Sequence, residues 1–273
     1  MKVSVTALAY NLAKEGILPA VLEAWCRQTV QPDEYVVVDS QSEDNTVEVI
    51  EQYKDRIPVR VVVRPTRDGW CLYTTKYGID NTDGDIVIID YMERLWRDDY
   101  IETMTRNLQS DEWRVPACGF IYDGIKHADV FSYKNGDNDI DNILTAPFDK
   151  QWERAKELSH VYVYPSINPY WCEYSGYTRP ACCASFYREQ WDMRIGELPT
   201  DPETLFDNDR WYQTKVWTTE DAVNTIKELM VIHLYHTRIE HGYWRHPTKT
   251  WRDDPNAIRF LVREFANYHE RFK

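Results

Sequence analysis

The sequence is poor in positive charge and has no long apolar run. Its 32 lysines and arginines face 45 acidic residues, which leaves a formal net charge of −13. Affinity based mainly on phosphate neutralisation along DNA or RNA is therefore disfavoured, although a narrow basic groove on an acidic protein would still fit these numbers. No segment approaches the ~20 uninterrupted apolar residues of a membrane helix, so we expect no transmembrane segment.

Paired cysteines and glycosylation signals are also missing. The six cysteines form no CxxC pair and show no metal-ligand spacing, and no Asn-x-Ser/Thr acceptor occurs. These absences favour free thiols in a reducing compartment and predict a cytoplasmic location. What the sequence does have is 43% apolar and 14% aromatic residues, which is enough for a packed core and excludes a disordered chain.

Strand and helix patterns alternate over residues 1–90. β-type runs cover 2–8, 35–38, 59–63 and 85–89, and helical periodicity covers 18–25, 45–53 and 72–79 between them. Asn45 and Glu48 have the spacing of a helix-capping box. Strands separated by helices predict βαβ units, whose right-handed crossovers give a parallel sheet with helices on both faces.

Polar residues follow three of these four strands. In a parallel α/β sheet, ligands bind in the crevice beyond the carboxyl ends of the strands. The residues expected there are Tyr10-Asn11, Asp39-Ser40-Gln41 and Asp90-Tyr91-Met92-Glu93. The sequence therefore predicts one binding site at this edge of the sheet.

The alternation ends near residue 94. Residues 119–187 are rich in Tyr, Trp, Asn and Asp, with little helical periodicity, and predict an irregular α+β second half. Helices are expected at 99–108, 218–229 and 256–271, and strands at 161–164 and 231–235. Since there is no internal repeat and no low-complexity linker, we expect a single domain over residues 1–273.

An ordered set of motifs resembles the family-2-like glycosyltransferases with the GT-A fold. Near the N-terminus, the resemblance is carried by Ala9-Tyr10-Asn11, by residues 28–34, and by Val36 to Thr46, which matches the family pattern VVVDDGSTDGT. Further along the chain, Gly84 to Asp90 resembles the strand that leads to the DxD motif of the family, and Thr219-Glu220-Asp221 resembles its later ED motif. The resemblance is strong over 3–100, moderate near 182–235 and absent between. It implies a Rossmann-like α/β fold with a mainly parallel sheet flanked by helices. Residues 1–100 would form the nucleotide-sugar-binding half and 101–273 the acceptor-binding half.

The resemblance also implies roles for individual residues in donor binding. Tyr10 would pack on the nucleotide base and Asp39 would hydrogen-bond the base or ribose, with Asn11 beside them. Lys76 lies close to where the family often carries an arginine and would stabilise the leaving diphosphate, with Arg64 and Arg67 as alternatives. Other interpretations stay open: Tyr10 as a core tyrosine, Asp39 as a turn-capping residue, and each cation as a surface charge.

The metal motif departs from the family. In the family, the aspartates of this motif hold a divalent cation against the diphosphate. In this chain the matching tripeptide is Asp90-Tyr91-Met92, and the thioether of methionine is a poor ligand for Mg²⁺ or Mn²⁺. Either Glu93 supplies the missing oxygen, or the enzyme works without a metal, or catalysis is lost. The expected ligands of a Mn²⁺ or Mg²⁺ ion are Asp90, Glu93 and His236, since only one of His233 and His236 can point into the site from a strand.

The ED motif supplies the predicted catalytic base. In inverting members of the family its aspartate takes the proton from the acceptor hydroxyl, which here implies Asp221, with Glu220 as its helper. The predicted function is transfer of a sugar, from a UDP-sugar by family preference, to a glycan, small molecule, protein or modified nucleic-acid base. The alternative is a catalytically decayed protein that binds nucleotide-sugars or glycans.

Overall fold

The computed structural model describes residues 1–13, 16–65, 71–123, 139–159, 183–198, 223–236, 245–246 and 249–250. The strands are β1 Val3–Ala9, β2 Glu34–Asp39, β3 Val59–Val63, β4 Ile86–Tyr91, β5 Arg94–Trp96, β6 Trp113–Asp123, β7 Ser185–Tyr187, β8 Val223–His236, β9 Arg245–His246 and β10 Lys249–Thr250. The helices are α1 Leu18–Cys26, α2 Thr46–Glu51, α3 Cys71–Asp80, α4 Tyr100–Thr105, α5 Asp139–Leu144, α6 Phe148–Leu158 and α7 Arg188–Arg194.

The main sheet has eight strands in the order β3-β2-β1-β4-β7-β6-β8-β5. Strands β1 to β4 are mutually parallel, with Ala9 opposite Asp39 and Ala7 opposite Asp90. These neighbours confirm the predicted parallel half and bring the ends of β1, β2 and β4 to one edge. Strand β7 is antiparallel to both β4 and β6, so it joins the two halves into one sheet.

Aromatic side chains pack the first helix against the sheet. Helix α1 buries Trp25, whose ring stacks on Tyr35 of β2 with centroids 4.5 Å apart. Trp96 of β5 lies 5.1 Å from the Trp25 ring and 4.5 Å from Tyr100 of α4. Because β2, β5, α1 and α4 each contribute one ring, this aromatic cluster packs β5 and the start of α4 against the first helix and the sheet.

The predicted helix at 218–229 is wrong where the structure describes it. Residues 223–236 form strand β8 instead, which pairs in parallel with β6 from Trp113↔Val223 to Asp123↔His236, with irregular register near Ala117. Strand β5 pairs with β8 from the other side. This non-local pairing overrides the local helical pattern, because strand formation depends on cross-strand neighbours that periodicity does not reveal. The predicted strand at 231–235 is confirmed.

Residues 119–187 contain helices α5 and α6, which is consistent with the predicted α+β second half, and α6 buries Trp152 and Ala155. One further prediction needs correction. The capping box at α2 does not form: Asn45 makes no side-chain cap, and Asp44 Oδ1 accepts from the Thr46 backbone N–H at 3.1 Å. The predicted strand at 161–164 and helix at 256–271 lie outside the described residues.

Two of the absences noted in the sequence extend to the structure. Within the described ranges, no helix has the length and apolar character needed to cross a bilayer. Cys26, Cys118 and Cys183 are thiols that form no disulfide.

Candidate functional site

The loops after β1 and β2 are joined by hydrogen bonds. The Asn11 backbone N–H donates to Ser42 Oγ at 2.9 Å, and Asn11 Oδ1 accepts from the Glu43 N–H at 2.7 Å. Asn11 and Gln41 have positive φ angles of 51° and 62°. Asparagine tolerates this left-handed conformation better than most residues. The two loops therefore form one fixed rim at the carboxyl edge of the sheet.

Asp39 lies in this rim at the end of β2 and is 2% exposed. Its Oδ1 accepts from Ser42 Oγ at 2.5 Å and its Oδ2 accepts from the Ser42 N–H at 3.0 Å. Tyr10 follows Ala9, the strand neighbour of Asp39, and is also largely buried. The structure thus brings Tyr10, Asn11 and Asp39 together. The contacts of Asp39 with Ser42 are those of a turn-capping residue, which was one of the two roles considered for Asp39.

Among the predicted cations, Arg64 lies at this edge. Its backbone N–H donates to the Asp39 carbonyl at 2.9 Å, and its Nη1 donates to Thr74 Oγ1 at 3.0 Å. Gln41 Nε2 donates to the Arg64 carbonyl at 3.1 Å, which ties the end of β3 to the rim. Lys76 instead pairs with Asp80 one turn along α3. Arg67 lies outside the described residues.

Asp90 is fully buried at the end of β4. Its Oδ1 accepts from Arg94 Nη1 and from the Tyr91 N–H, both at 2.7 Å, and its Oδ2 accepts from Trp96 Nε1. Burial raises the pKa of the Asp90 carboxyl, while the Arg94 guanidinium and the two other donors oppose that shift. The carboxylate is therefore held in a closed set of internal contacts.

The register of β5 and β8 places Glu93 beside a histidine. Arg94 is opposite His233, and the Glu93 carbonyl accepts from the Leu234 N–H at 3.0 Å. His233 Nε2 lies 2.9 Å from Glu93 Oε1. The backbone of His236 is opposite Asp123 in β6, and its side chain is not described. The choice of His236 over His233 as a ligand therefore stays a prediction.

The described side chains do not fit a Mg²⁺ or Mn²⁺ ion. These cations require several oxygen ligands, but both Asp90 oxygens accept hydrogen bonds from protein donors and Met92 is buried in the main hydrophobic core. In the part of the chain that the structure describes, no three His, Cys, Asp or Glu residues are grouped as a metal site. The cation at Asp90, Glu93 and His236 stays a prediction.

The predicted base and its helper are not among the residues that the structure describes. Asp221 and Glu220 fall immediately before β8, outside the described residues. Their roles as base and helper therefore stay predictions.

Comparison with known proteins identifies relatives of this architecture. Residues 4–127 match the family model described as glycosyl transferase family 2. Residues 1–349 of S. aureus TarS in complex with UDP-GlcNAc superpose with a TM-score of 0.59 at 13% identity, covering 97% of this chain and 66% of that one. The same fragment in complex with UDP gives a TM-score of 0.56 at 14% identity, with coverages of 98% and 65%. Comparison with curated proteins finds no match.

These likenesses establish the fold. The chain spans about two thirds of the length of the TarS fragments or less, and the identities are low. The mixed α/β architecture with a mostly parallel sheet is that of the GT-A fold, which confirms the fold predicted from the sequence.

Proposed function

We propose, from the match of residues 4–127 to the glycosyl transferase family 2 model, that the chain is a glycosyltransferase acting on a nucleotide-sugar donor. The observation that carries the proposal is the rim in which Tyr10, Asn11 and Asp39 meet. It lies within the segment that matches the family, at the edge where α/β sheets bind ligands.

The proposed donor is a UDP-sugar. Two of the structural neighbours are complexes of TarS with UDP and with UDP-GlcNAc. In this chain, the Tyr10 ring would stack on the base, and the Asp39 carboxylate would accept a hydrogen bond from the base or ribose through lone pairs that Ser42 leaves unused. The Arg64 guanidinium, whose Nη1 donates to Thr74 Oγ1, is the described cation with which a diphosphate would interact.

The proposed reaction is a displacement at the anomeric carbon with inversion. Asp221 takes the proton of the acceptor hydroxyl, whose oxygen attacks the anomeric carbon. The bond between that carbon and the diphosphate oxygen breaks, and the nucleoside diphosphate leaves with the electron pair. Glu220 supports the base. The acceptor is a glycan, a small molecule, a protein or a modified nucleic-acid base, and we assign its binding to residues 101–273.

The first test is calorimetric titration of the whole chain with UDP, GDP, CMP and TDP. We expect UDP to bind most tightly, with a dissociation constant on the order of micromolar. Failure of every nucleotide to bind would overturn the proposal, because the rim would then serve another ligand.

The second test separates the enzyme from the binding protein. UDP release from UDP-GlcNAc is measured for the wild type, for Asp221→Asn and for the exposed control Asp55→Asn. Asp221→Asn should lose turnover and keep UDP affinity, while Asp55→Asn should keep both. Wild-type protein that binds UDP-GlcNAc but releases no UDP, to water or to a panel of acceptors, would instead be the decayed binding protein.

A further inference from the structure

The carboxylate at the first position of the metal motif already has a cationic partner. Asp90 accepts from Arg94 Nη1, from the Tyr91 N–H and from Trp96 Nε1, and its side chain is completely inaccessible to solvent. A carboxylate has about four lone-pair positions, so these donors occupy most of its capacity. Cys183 Sγ lies 3.7 Å from Asp90 Oδ1 as a further neighbour, so a metal ion could reach the carboxylate only by displacing one of these groups.

The guanidinium that pairs with Asp90 is itself fixed. The Arg94 side chain is 5% exposed, its Nη1 also contacts Cys183 Sγ, and its Cζ lies 4.4 Å above the Tyr91 ring. Its backbone belongs to β5, opposite His233 of β8. Withdrawal of the guanidinium would therefore break the cation–π contact with Tyr91 as well as the ion pair.

A divalent cation at this position would meet a positive charge in a buried environment. Like charges a few ångströms apart repel strongly where water is excluded, and loss of Arg94 would leave Asp90 uncompensated. The other motif position gives no substitute, because the Met92 thioether is fully buried and is a poor ligand for hard cations. Glu93 Oε1 lies beside His233.

We infer that Arg94 is a permanent internal counter-ion of Asp90 and that this chain binds its nucleotide without a divalent cation at the motif. Arg94 is then a positioning residue, since it holds the β4–β5 turn closed and does not touch the ligand. The inference rests on the proposed function, because it specifies how the same nucleotide site works.

The decisive experiment uses the unmodified chain with UDP as the probe. UDP is titrated by calorimetry in EDTA and in Mn²⁺, and the Mn²⁺ electron paramagnetic resonance signal is recorded with UDP in the presence and absence of protein. We expect dissociation constants that agree within about twofold and no protein-dependent loss of the free Mn²⁺ signal. A tenfold or larger weakening in EDTA overturns the inference while leaving the proposed function intact. Absence of UDP binding in both media overturns the proposed function itself.

Variants of the ion pair give a readout that does not depend on nucleotide. Asp90→Asn and Arg94→Met should each lower Tm on the order of 10 °C, because each leaves a buried charge unpaired, and the double variant should recover part of the loss. Additive effects in the double variant would contradict the pairing.

Two tryptophans of the aromatic cluster form a matched control. Trp96 Nε1 donates to Asp90, whereas Trp25 Nε1 has no hydrogen-bond partner among the residues described here. Trp96→Phe should therefore lower Tm more than Trp25→Phe, although both rings are fully buried. Equal losses would show that the Trp96 N–H does not hold Asp90, against the closed contact set.

Discussion

Asp39 has two separable tasks at the scale of the single residue. Its carboxylate accepts two hydrogen bonds from Ser42, and we propose that its remaining lone pairs bind the nucleotide. Ser42 Oγ also accepts from the Asn11 N–H, so the serine helps, together with the Glu43 N–H bond to Asn11 Oδ1, to hold the two loops together. Substitution at either residue disturbs the rim, but only substitution at Asp39 removes the carboxylate.

Asp39→Ala should weaken UDP binding about 10- to 100-fold, the range expected for a hydrogen bond to a charged group. Ser42→Ala is the matched control, because it loses the hydroxyl contacts and keeps both the carboxylate and the Ser42 N–H. It should weaken binding much less in the same calorimetric titration. Equal losses in the two variants would assign Asp39 to the turn alone.

We expect the fold to become less stable in acid because the carboxyl group of Glu112 becomes protonated. Arg114 donates to it through Nε at 2.6 Å and Nη2 at 3.0 Å, and Asn224 Nδ2 donates at 2.8 Å. Burial by itself raises the pKa of Glu112, but these donors outweigh it and hold the pKa below its ordinary value. The ionised carboxylate therefore stabilises the folded state.

The sign of the pH dependence follows from that lowered pKa. The stabilisation is fully present above the unfolded-state pKa of about 4.3 and is lost as the pH falls through the folded-state pKa. Glu112→Gln should thus be less stable than the wild type near neutral pH, and the difference should shrink below about pH 4. Urea unfolding across this pH range measures it. A difference that stays constant in acid would contradict the role of the ionised form.

At the scale of the element, helix α3 depends on a close approach to the sheet. A Cβ added at Gly78 would lie 2.0 Å from Thr6 Oγ1 and 2.9 Å from Val38 Cγ2. Both neighbours belong to the buried centre of the sheet, so the helix would have to move outward. Gly78 therefore serves packing, although glycine lowers helix propensity.

Gly78→Ala should destabilise the protein by about 1–3 kcal/mol, as overpacking in a well-packed core does. The control is Asp80→Ala on the same helix, which loses only an ion pair of the helix surface with Lys76 and should cost at most ~1 kcal/mol. Chemical denaturation of both variants gives the comparison. A stabilising Gly78→Ala would mean that helix α3 can move away from the sheet without a loss of packing.

At the scale of the whole molecule, the sheet order interleaves the two halves of the chain. Strand β7 lies between β4 and β6, and β8 lies between β6 and β5. Residues 4–127, which match the family, include β5 and β6 but not β7 or β8. The family segment alone therefore leaves β5 and β6 without their sheet neighbours, which supports our proposal of a single domain.

A fragment of residues 1–127 should not unfold cooperatively. Its β5 and β6 would expose unpaired backbone groups and apolar side chains that β7 and β8 cover in the full chain. Thermal unfolding followed by circular dichroism should show one sharp transition for residues 1–273 and a broad or absent one for the fragment. A sharp transition in the fragment would establish the first half as an autonomous domain.

Sequence patterns were enough to predict the parallel half of the fold and the edge of the sheet at which we propose the site. Strands β1 to β4 are short apolar runs linked by helices nearby in the chain, so periodicity and the handedness of crossovers suffice to predict them. The rim follows from the same reasoning, because Tyr10, Asn11 and Asp39 directly succeed predicted strands. Local signals and short connections made these features predictable.

The arrangement of side chains around the metal motif depends on tertiary contacts that the sequence patterns did not predict. Strand β8 forms where a helix was predicted because β6 and β5 pair with it on both sides. The register of this pairing places His233 beside Glu93. Burial also surrounds Asp90, a predicted metal ligand, with hydrogen-bond donors from Arg94 and Trp96. These contacts join residues distant in sequence or depend on how the chain turns after β4, and hydrophobic periodicity contains neither kind of information.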